Sequence, residues 1–239
     1  MLNSVIEIVE RVAADIPRRG PETPPVTLEG LWAAFTELDE PLSARLRDEL
    51  TALGPSADEW TVDPMDGAVQ YLHGLPQWCV TVALVRDGEP ELAVLHSPLL
   101  GETYSAARGQ GARRDGRVIT PSAKTSLAAA LATTAFPPDQ QPEAFAAAGH
   151  ALPGMLAAAG AVRGLAPTSW QVAEVAAGRV DVFWEFGRDA ENLAGAALVA
   201  REAGARVSTV SGGPWSATED SFLAAAPGVH AEVVRVLSR

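Results

Sequence analysis

The stretch Asp63-Pro64-Met65-Asp66-Gly67, entered from Val62 and followed by Ala68, limits this chain more than any other. Val62 reads as the end of a buried strand. Pro64 then fixes the backbone of a turn, and Gly67 lets the main chain approach a ligand closely. Such a turn can aim the carboxylates of Asp63 and Asp66 and the carbonyl of Met65 at one point, the oxygen-rich setting that Mg²⁺ prefers. An Asp-Pro turn running into an Asp-Gly turn would use the same residues with no ligand at all. Context has to decide between the two.

The 239 residues are enough to bury a substantial core. We expect one compact unit made of an N-terminal α+β part, residues 1–120, and a C-terminal α/β part, residues 121–239. Hydrophobic residues make up 47 %, yet no apolar run is long enough for a membrane span, and the first residues lack the basic head and hydrophobic core of an export signal. Cys79 is the single cysteine, which excludes an internal disulfide and suits a reducing cytoplasm. A net charge of −12 without clustered Lys and Arg argues against nucleic acid or an anionic membrane. The expected partner is therefore a small-molecule substrate, with no nucleic acid and no membrane.

Apolar spacing predicts a helix over Ser4–Ile16, ended by Pro17, and another over Asp39–Leu53, with Asp39 as its cap and Pro41 in its first turn. Residues Leu28–Leu38 fit strand or helix. Strands follow at Gln77–Leu84, Glu91–His96 and Glu102–Ala107, the first two joined by a hairpin at Asp87-Gly88. Gly109-Gln110-Gly111 has the look of a phosphate loop, but no helix follows it, so a hairpin turn is the better reading. Beyond Ile119, strands and helices alternate. Strands are expected at Leu127–Phe136, Ala161–Leu165, Val180–Trp184, Val207–Val210 and Phe222–Ala226. Helices are expected at Pro142–Leu156, Trp170–Ala177 (with Ser169 as cap), Asn192–Ala203 and Val229–Leu237.

These segments together resemble the inositol monophosphatase family. Its first signature is matched by Asp63 to Gly74, which ends in Leu72-His73-Gly74, with Met65 and Ala68 in place of the family's Ile and Thr. The resemblance continues through Asp87-Gly88, Gly109 to Ala112 and Asp115-Gly116. It then takes in Ala176 to Glu185 and the helix from Leu193-Ala194-Gly195 to Gly204. It implies a layered αβαβα sandwich of mixed α+β and α/β character, a homodimer, and Mg²⁺-dependent hydrolysis of phosphate monoesters. Carried over by residue, Asp63, Met65 and Asp66 stand at metal-ligand positions and Gly67 offers its N–H to an anion. Asp39 lies beside the metal cluster, and Glu185 takes the position that bonds a substrate hydroxyl.

Three positions depart from the family pattern. No Gly-Glu-Glu segment fits between Asp39 and Asp63, Ala68 replaces the water-polarising threonine, and the aspartate of the second signature is Asn192. Asp189, one helical turn earlier, can substitute for it in part. A site poorer in carboxylates holds Mg²⁺ less well, so Mg²⁺ remains the cofactor implied but weakly supported.

The leading expectation is a repurposed small-molecule enzyme with Asp63, Asp66 and Asp39 as acid/base groups, working by cyclisation, elimination or isomerisation. Its substrate would meet Gly67, Ala68, Glu185, Asp189 and Asn192. Trp184 could line the pocket, and His73 could assist, although a buried structural role suits His73 better. The alternatives are a divergent Mg²⁺-dependent phosphatase acting on a sugar, inositol or nucleotide monophosphate, and a non-catalytic binding protein. Cys79 is expected to be a buried small hydrophobe, Ser169 a cap and His96 structural.

Overall fold

Both faces of the strand Cys79–Arg86 are apolar and buried, so the sheet that contains it must be covered on two sides. The computed structural model describes residues 1–137, 141–165 and 167–238. Within them a six-stranded antiparallel sheet runs in chain order: β1 (Trp60–Asp66), β2 (Cys79–Arg86), β3 (Glu89–Ser97), β4 (Glu102–Ala107), β5 (Ala112–Arg114) and β6 (Arg117–Val118). A second sheet holds β7 (Leu131–Thr134), β8 (Ala161–Arg163), β9 (Val182–Phe186), β10 (Arg206–Ser208) and β11 (Ser221–Ala225). Its spatial order is β10-β11-β9-β7-β8, with β7 parallel to both β8 and β9.

The helices are α1 (Leu2–Ala14), α2 (Leu28–Thr51), α3 (Ala68–Leu72), α4 (Pro142–Ala158), α5 (Thr168–Ala176), α6 (Ala190–Ala203) and α7 (His230–Leu237). Three apolar cores fill the four interfaces between five layers, the middle core lying on both sides of α5 and α6. Val5 and Val9 of α1 and Leu46 and Leu50 of α2 meet Val80, Val82 and Leu84 on the outer face of the first sheet. Cys79, Ala83 and Ala93, from its other face, pack with α5 and α6 against Phe183 and Phe222 of the second sheet. Val182, Trp184 and Leu223 face α4 and α7 on the far side. This is the αβαβα sandwich expected. Helix α6 lies close to the first sheet where Gly195 has no side chain, since a Cβ there would stand 3.2 Å from Ala83 Cβ.

Several local expectations change. Residues 28–51 form one helix rather than an open segment and a capped helix. Thr27 caps it by accepting the N–H of Gly30 (3.1 Å), so Asp39 is mid-helix and Pro41 lies within it without breaking it. Proline there forgoes only one main-chain bond, and the packed Leu46 and Leu50 hold the later turns. The strand expected over Leu127–Phe136 begins instead as a one-turn 3₁₀ helix, Leu127–Ala129.

Gly109 and Gly111 have positive φ, and both donate N–H bonds of 2.8 Å to the carboxylate of Glu202. The anion on this loop is thus one of the chain's own side chains.

Candidate functional site

Residues three apart on a regular strand point to opposite faces. On β1 they do not, because the register against β2 shifts between Asp63, which pairs with Thr81, and Asp66, which pairs with Cys79. One extra residue is accommodated on β1 as a bulge, and Pro64, which has no N–H to give, sits within it. Val62 and Met65 consequently share the outer core, while Asp63 and Asp66 turn to the inner side. Gly67 follows with φ of 98°, and a Cβ there would lie 2.5 Å from the carbonyl of Gln77. The close approach that requires glycine is made to the chain itself and not to a ligand.

Asp66 is held across the molecule by α5. Its Oδ2 accepts the N–H of Ser169 (2.9 Å) and the Ser169 hydroxyl (2.5 Å). Cys79 Sγ stands 3.5 Å from that hydroxyl. Ser169 therefore is not the cap expected. It lies in the first turn of α5, and Asp66 supplies the acceptor that the helix start needs. No signal in the sequence could have joined these residues, because the partner of the turn comes from another layer. Asp63 Oδ1 accepts the N–H of Met65 (2.8 Å).

The second sheet and α6 complete the pocket. Glu185 projects from β9 with both carboxylate oxygens buried and without a partner among the described residues. Asp189 immediately precedes α6, and Asn192 Nδ2 donates to both of its oxygens (2.8 and 3.1 Å). The expected nearness of Asp189 and Asn192 is thus a direct contact. Asn192 Oδ1 is buried and unpaired among the described residues.

Burial dominates the electrostatics here, since it penalises every ionised carboxyl. Burial, then the charges of Asp66, Asp39 and Asp189, push Asp63 well above the usual carboxylate range. Asp66 rises to about 6 by burial, against the hydrogen bonds of Ser169 that favour its ionised form. Asp189 rises to about 7 by burial and the charge of Asp66, restrained by Asn192. Glu185 is pushed well up by burial and by Asp189. When Glu185 holds a proton it can donate to Asp189, which gives its otherwise orphaned carboxyl a partner. Asp39, half-buried and accepting from Ser43 (3.2 Å), is also raised, first by burial, and its charge reaches Asp63 from the rim.

Other expected site residues lie elsewhere. Trp184 is in the separate core beneath α4 and α7, on the far side of the second sheet, because neighbouring strand residues face opposite ways and Glu185 takes the inner side. His73 is exposed at the end of α3, its Nδ1 2.8 Å from the Val69 carbonyl, rather than buried. Ala68 packs against the outer core. Cys79 is buried and burial pushes its thiol well up, which leaves it no thiolate character.

These donors do not fit a multi-metal centre. Among the described residues no three His, Cys, Asp or Glu side chains are gathered so as to hold a metal ion. Asp66 Oδ2 is bound by α5 and both Asp189 oxygens by Asn192. Between α2 and β1 there is only a short link with a 3₁₀ turn, Ala57–Glu59, and β1 is an edge strand.

The profile of the inositol monophosphatase family matches residues 26–238. Nus factor SuhB of Pseudomonas aeruginosa is 37 % identical over 161 residues, covering 66 % of this chain and 59 % of that protein. The Thermotoga maritima fructose-1,6-bisphosphatase/inositol-1-monophosphatase is 30 % identical over 222 residues, covering 87 % and 84 %. Mycobacterium tuberculosis SuhB superposes with a TM-score of 0.82 at 26 % identity over 100 % of this chain and 95 % of that one. The matched stretch spans between 55 % and 66 % of the length of three relatives named Nus factor SuhB. Those names overturn the expectation that partners stop at a small molecule, with no nucleic acid. A net charge of −12 does not exclude such a partner, because a binding face depends on local charge and not on the total. No helix among the described residues is long and apolar enough to cross a membrane.

Proposed function

Because the chain belongs to the inositol monophosphatase family, we propose that it is a small-molecule enzyme whose inherited pocket moves protons between carboxyl groups instead of hydrolysing a phosphate ester at a metal centre. The observation that carries this reading is the seat of Asp66 on the first turn of α5. A carboxylate whose Oδ2 is held by a helix start and a hydroxyl has only Oδ1 left for a metal, and it is a well-fixed neighbour for a titrating group. Asp63 and the Glu185–Asp189 pair then act as general base and acid, each carboxyl raised first by burial from its ordinary range. The unpaired acceptors of Glu185 and Asn192 suit the hydroxyls of a polar substrate. Cyclisation, elimination and isomerisation need no more than these parts.

A second reading, Mg²⁺-dependent phosphatase action on a sugar or inositol phosphate, draws on the same unpaired acceptors, which would also suit a cation, and on relatives named inositol-1-monophosphatase. One assay separates the two. Inositol 1-phosphate and fructose 1,6-bisphosphate are incubated with the protein, with and without millimolar Mg²⁺, beside Asp63→Asn. The proposed reading expects phosphate release no greater than that of the variant. Mg²⁺-dependent release that Asp63→Asn abolishes would remove it in favour of the phosphatase.

A further inference from the structure

Helix α1 covers the outer face of the first sheet unevenly. Its side chains pack on β3 through the outer core, and beside its first turn an open groove of about 730 Å³ runs over β4 and β5. Register sets the floor of that groove. Ser105 of β4 stands opposite Val94 of β3 and opposite Arg113 of β5. Val94 belongs to the outer core, so Ser105 and Arg113 face outward beside each other. Leu2, Ile6 and Leu92 supply an apolar wall, and Arg108 lines the groove just past the end of β4.

Both arginines are positioned by neutral groups. Arg108 Nη2 donates to the Pro90 carbonyl (2.9 Å) and Arg113 Nη1 to the Gly116 carbonyl (3.1 Å). Neither has a carboxylate within 4.0 Å among the described residues. Acidic side chains outnumber Lys and Arg by 30 to 18, so two guanidinium groups left without one on a single groove run against the composition. The neighbouring acids are committed elsewhere. Glu91, also in the lining, is held by Arg86 (3.0 Å), Asp115 accepts the N–H of Thr103 (2.8 Å), and Glu202 accepts those of Gly109 and Gly111. Helix α1 adds to the positive field, since no side chain caps its start and its first turn holds no acid.

We propose that this groove is a binding site for a small organic phosphate, with its oxygens on the guanidinium groups of Arg108 and Arg113 and its body against Leu2, Ile6 and Leu92. A phosphate group presents several acceptor oxygens and more than one negative charge at neutral pH, and the fork of a guanidinium matches it. A carboxylate has fewer oxygens to share among two guanidinium groups and the Ser105 hydroxyl. A space of this order also takes a ring-sized body. The groove lies on the opposite face of the first sheet from Asp63 and Asp66, so it stands whichever reaction the carboxyl groups perform.

Phenylphosphonate is the probe, because its P–C bond resists hydrolysis whatever the acid pocket does. Benzyl alcohol serves as the neutral body and inorganic phosphate as the bare anion. In ¹⁵N-labelled full-length protein with EDTA present, phenylphosphonate is expected to shift the Arg108 and Arg113 Nε–H signals in a saturable way, and benzyl alcohol to leave them in place. Inorganic phosphate should bind about 5-fold more weakly for want of the apolar contacts. Arg113 is exposed and bonds only a main-chain carbonyl, so Arg113→Gln should fold normally. It should weaken phenylphosphonate about 10-fold or more, the share of one charge-assisted hydrogen bond, whereas Asp63→Asn should leave the affinity unchanged. The proposal is overturned if both signals stay fixed up to the solubility limit of the probe in folded protein. Equal affinity for benzyl alcohol overturns it, as does unchanged affinity in Arg113→Gln. Inorganic phosphate bound as tightly as the probe means an adventitious ion only, and a changed affinity in Asp63→Asn puts the ligand in the acid pocket; either result overturns it too.

Discussion

Helix α5 divides two buried regions whose unmet hydrogen bonds are of opposite kinds. On the acid side, Glu185 and Asn192 leave acceptors without donors; on the other side, Trp78 and Gln171 leave donors without acceptors. Every residue of α5 is buried, so water equalises neither side. The acid pocket takes protons, hydroxyls or positive charge, whereas the donors of Trp78 and Gln171 are sealed in, each residue 1 % exposed. Both are built on one turn of helix and on the strand entry next to Gly67.

Gly67 is where the comparison can be broken most severely. Its φ of 98° disfavours any side chain, and an added Cβ would meet Gln77 O at 2.5 Å and Trp78 Cα at 3.1 Å. Those neighbours are backbone and cannot rotate away. Gly67→Ala should destabilise the protein by about 2–5 kcal/mol, the sum of strain and overpacking, as read by urea unfolding. It should disturb the Asp66 carboxyl and the Trp78 indole signals together. Disturbance of one alone would show that the two sides are not joined at this point.

pH should separate the two regions with a somewhat smaller effect. Asp66 at about 6 and Asp189 at about 7 are both raised above 3.8, their ordinary value. The folded protein then holds protons that the unfolded chain has released, so stability increases as pH falls through the folded values toward 4. Between pH 8 and pH 5 the gain should be on the order of 2–4 kcal/mol. Asp189→Asn should remove its upper part, near pH 7. Glu59, lowered to about 2 chiefly by its bond to Arg86, acts in the reverse sense, but only at more acid pH. Urea midpoints at pH 5, 6, 7 and 8 test the point, and stability that increases toward pH 8 would contradict it.

What the sequence discloses follows from the range of each interaction. The apolar run of β-formers in β2 and the turns at Asp87-Gly88 and Asp115-Gly116 are local, and they announced the first sheet; Asp87 and Asp115 do take positive φ. The bulge that turns Asp63 and Asp66 to one face was legible only as a proline between two acids, since the shift exists relative to β2. The continuity of α2 through Pro41 was not legible. Proline's local rule favours a helix start, and tertiary packing of Leu46 and Leu50 outweighs it. Trp184 was misplaced because adjacency in sequence suggests a shared pocket, whereas a strand sends neighbours to opposite sides. Ser169 on Asp66 and the orphaned donor of Gln171 depend on contacts between layers, for which one chain read in order carries no mark.

The smallest effect belongs to the other place where the chain binds its own carboxylate. Glu202 joins the N–H groups of Gly109 and Gly111 at 2.8 Å each, and Gly109 is exposed. Asp66 holds a helix start in the same manner, but in the interior. Water can replace Glu202 on its loop and cannot replace Asp66. Glu202→Ala should therefore cost only about 0.5–1.5 kcal/mol in urea unfolding, and it should leave the pH profile above and the Trp78 and Gln171 signals unchanged. A loss well beyond that range would mean that exposure does not set the difference between the two anion seats. The separate treatment of buried and open hydrogen bonds, on which the contrast across α5 depends, would then have to be abandoned.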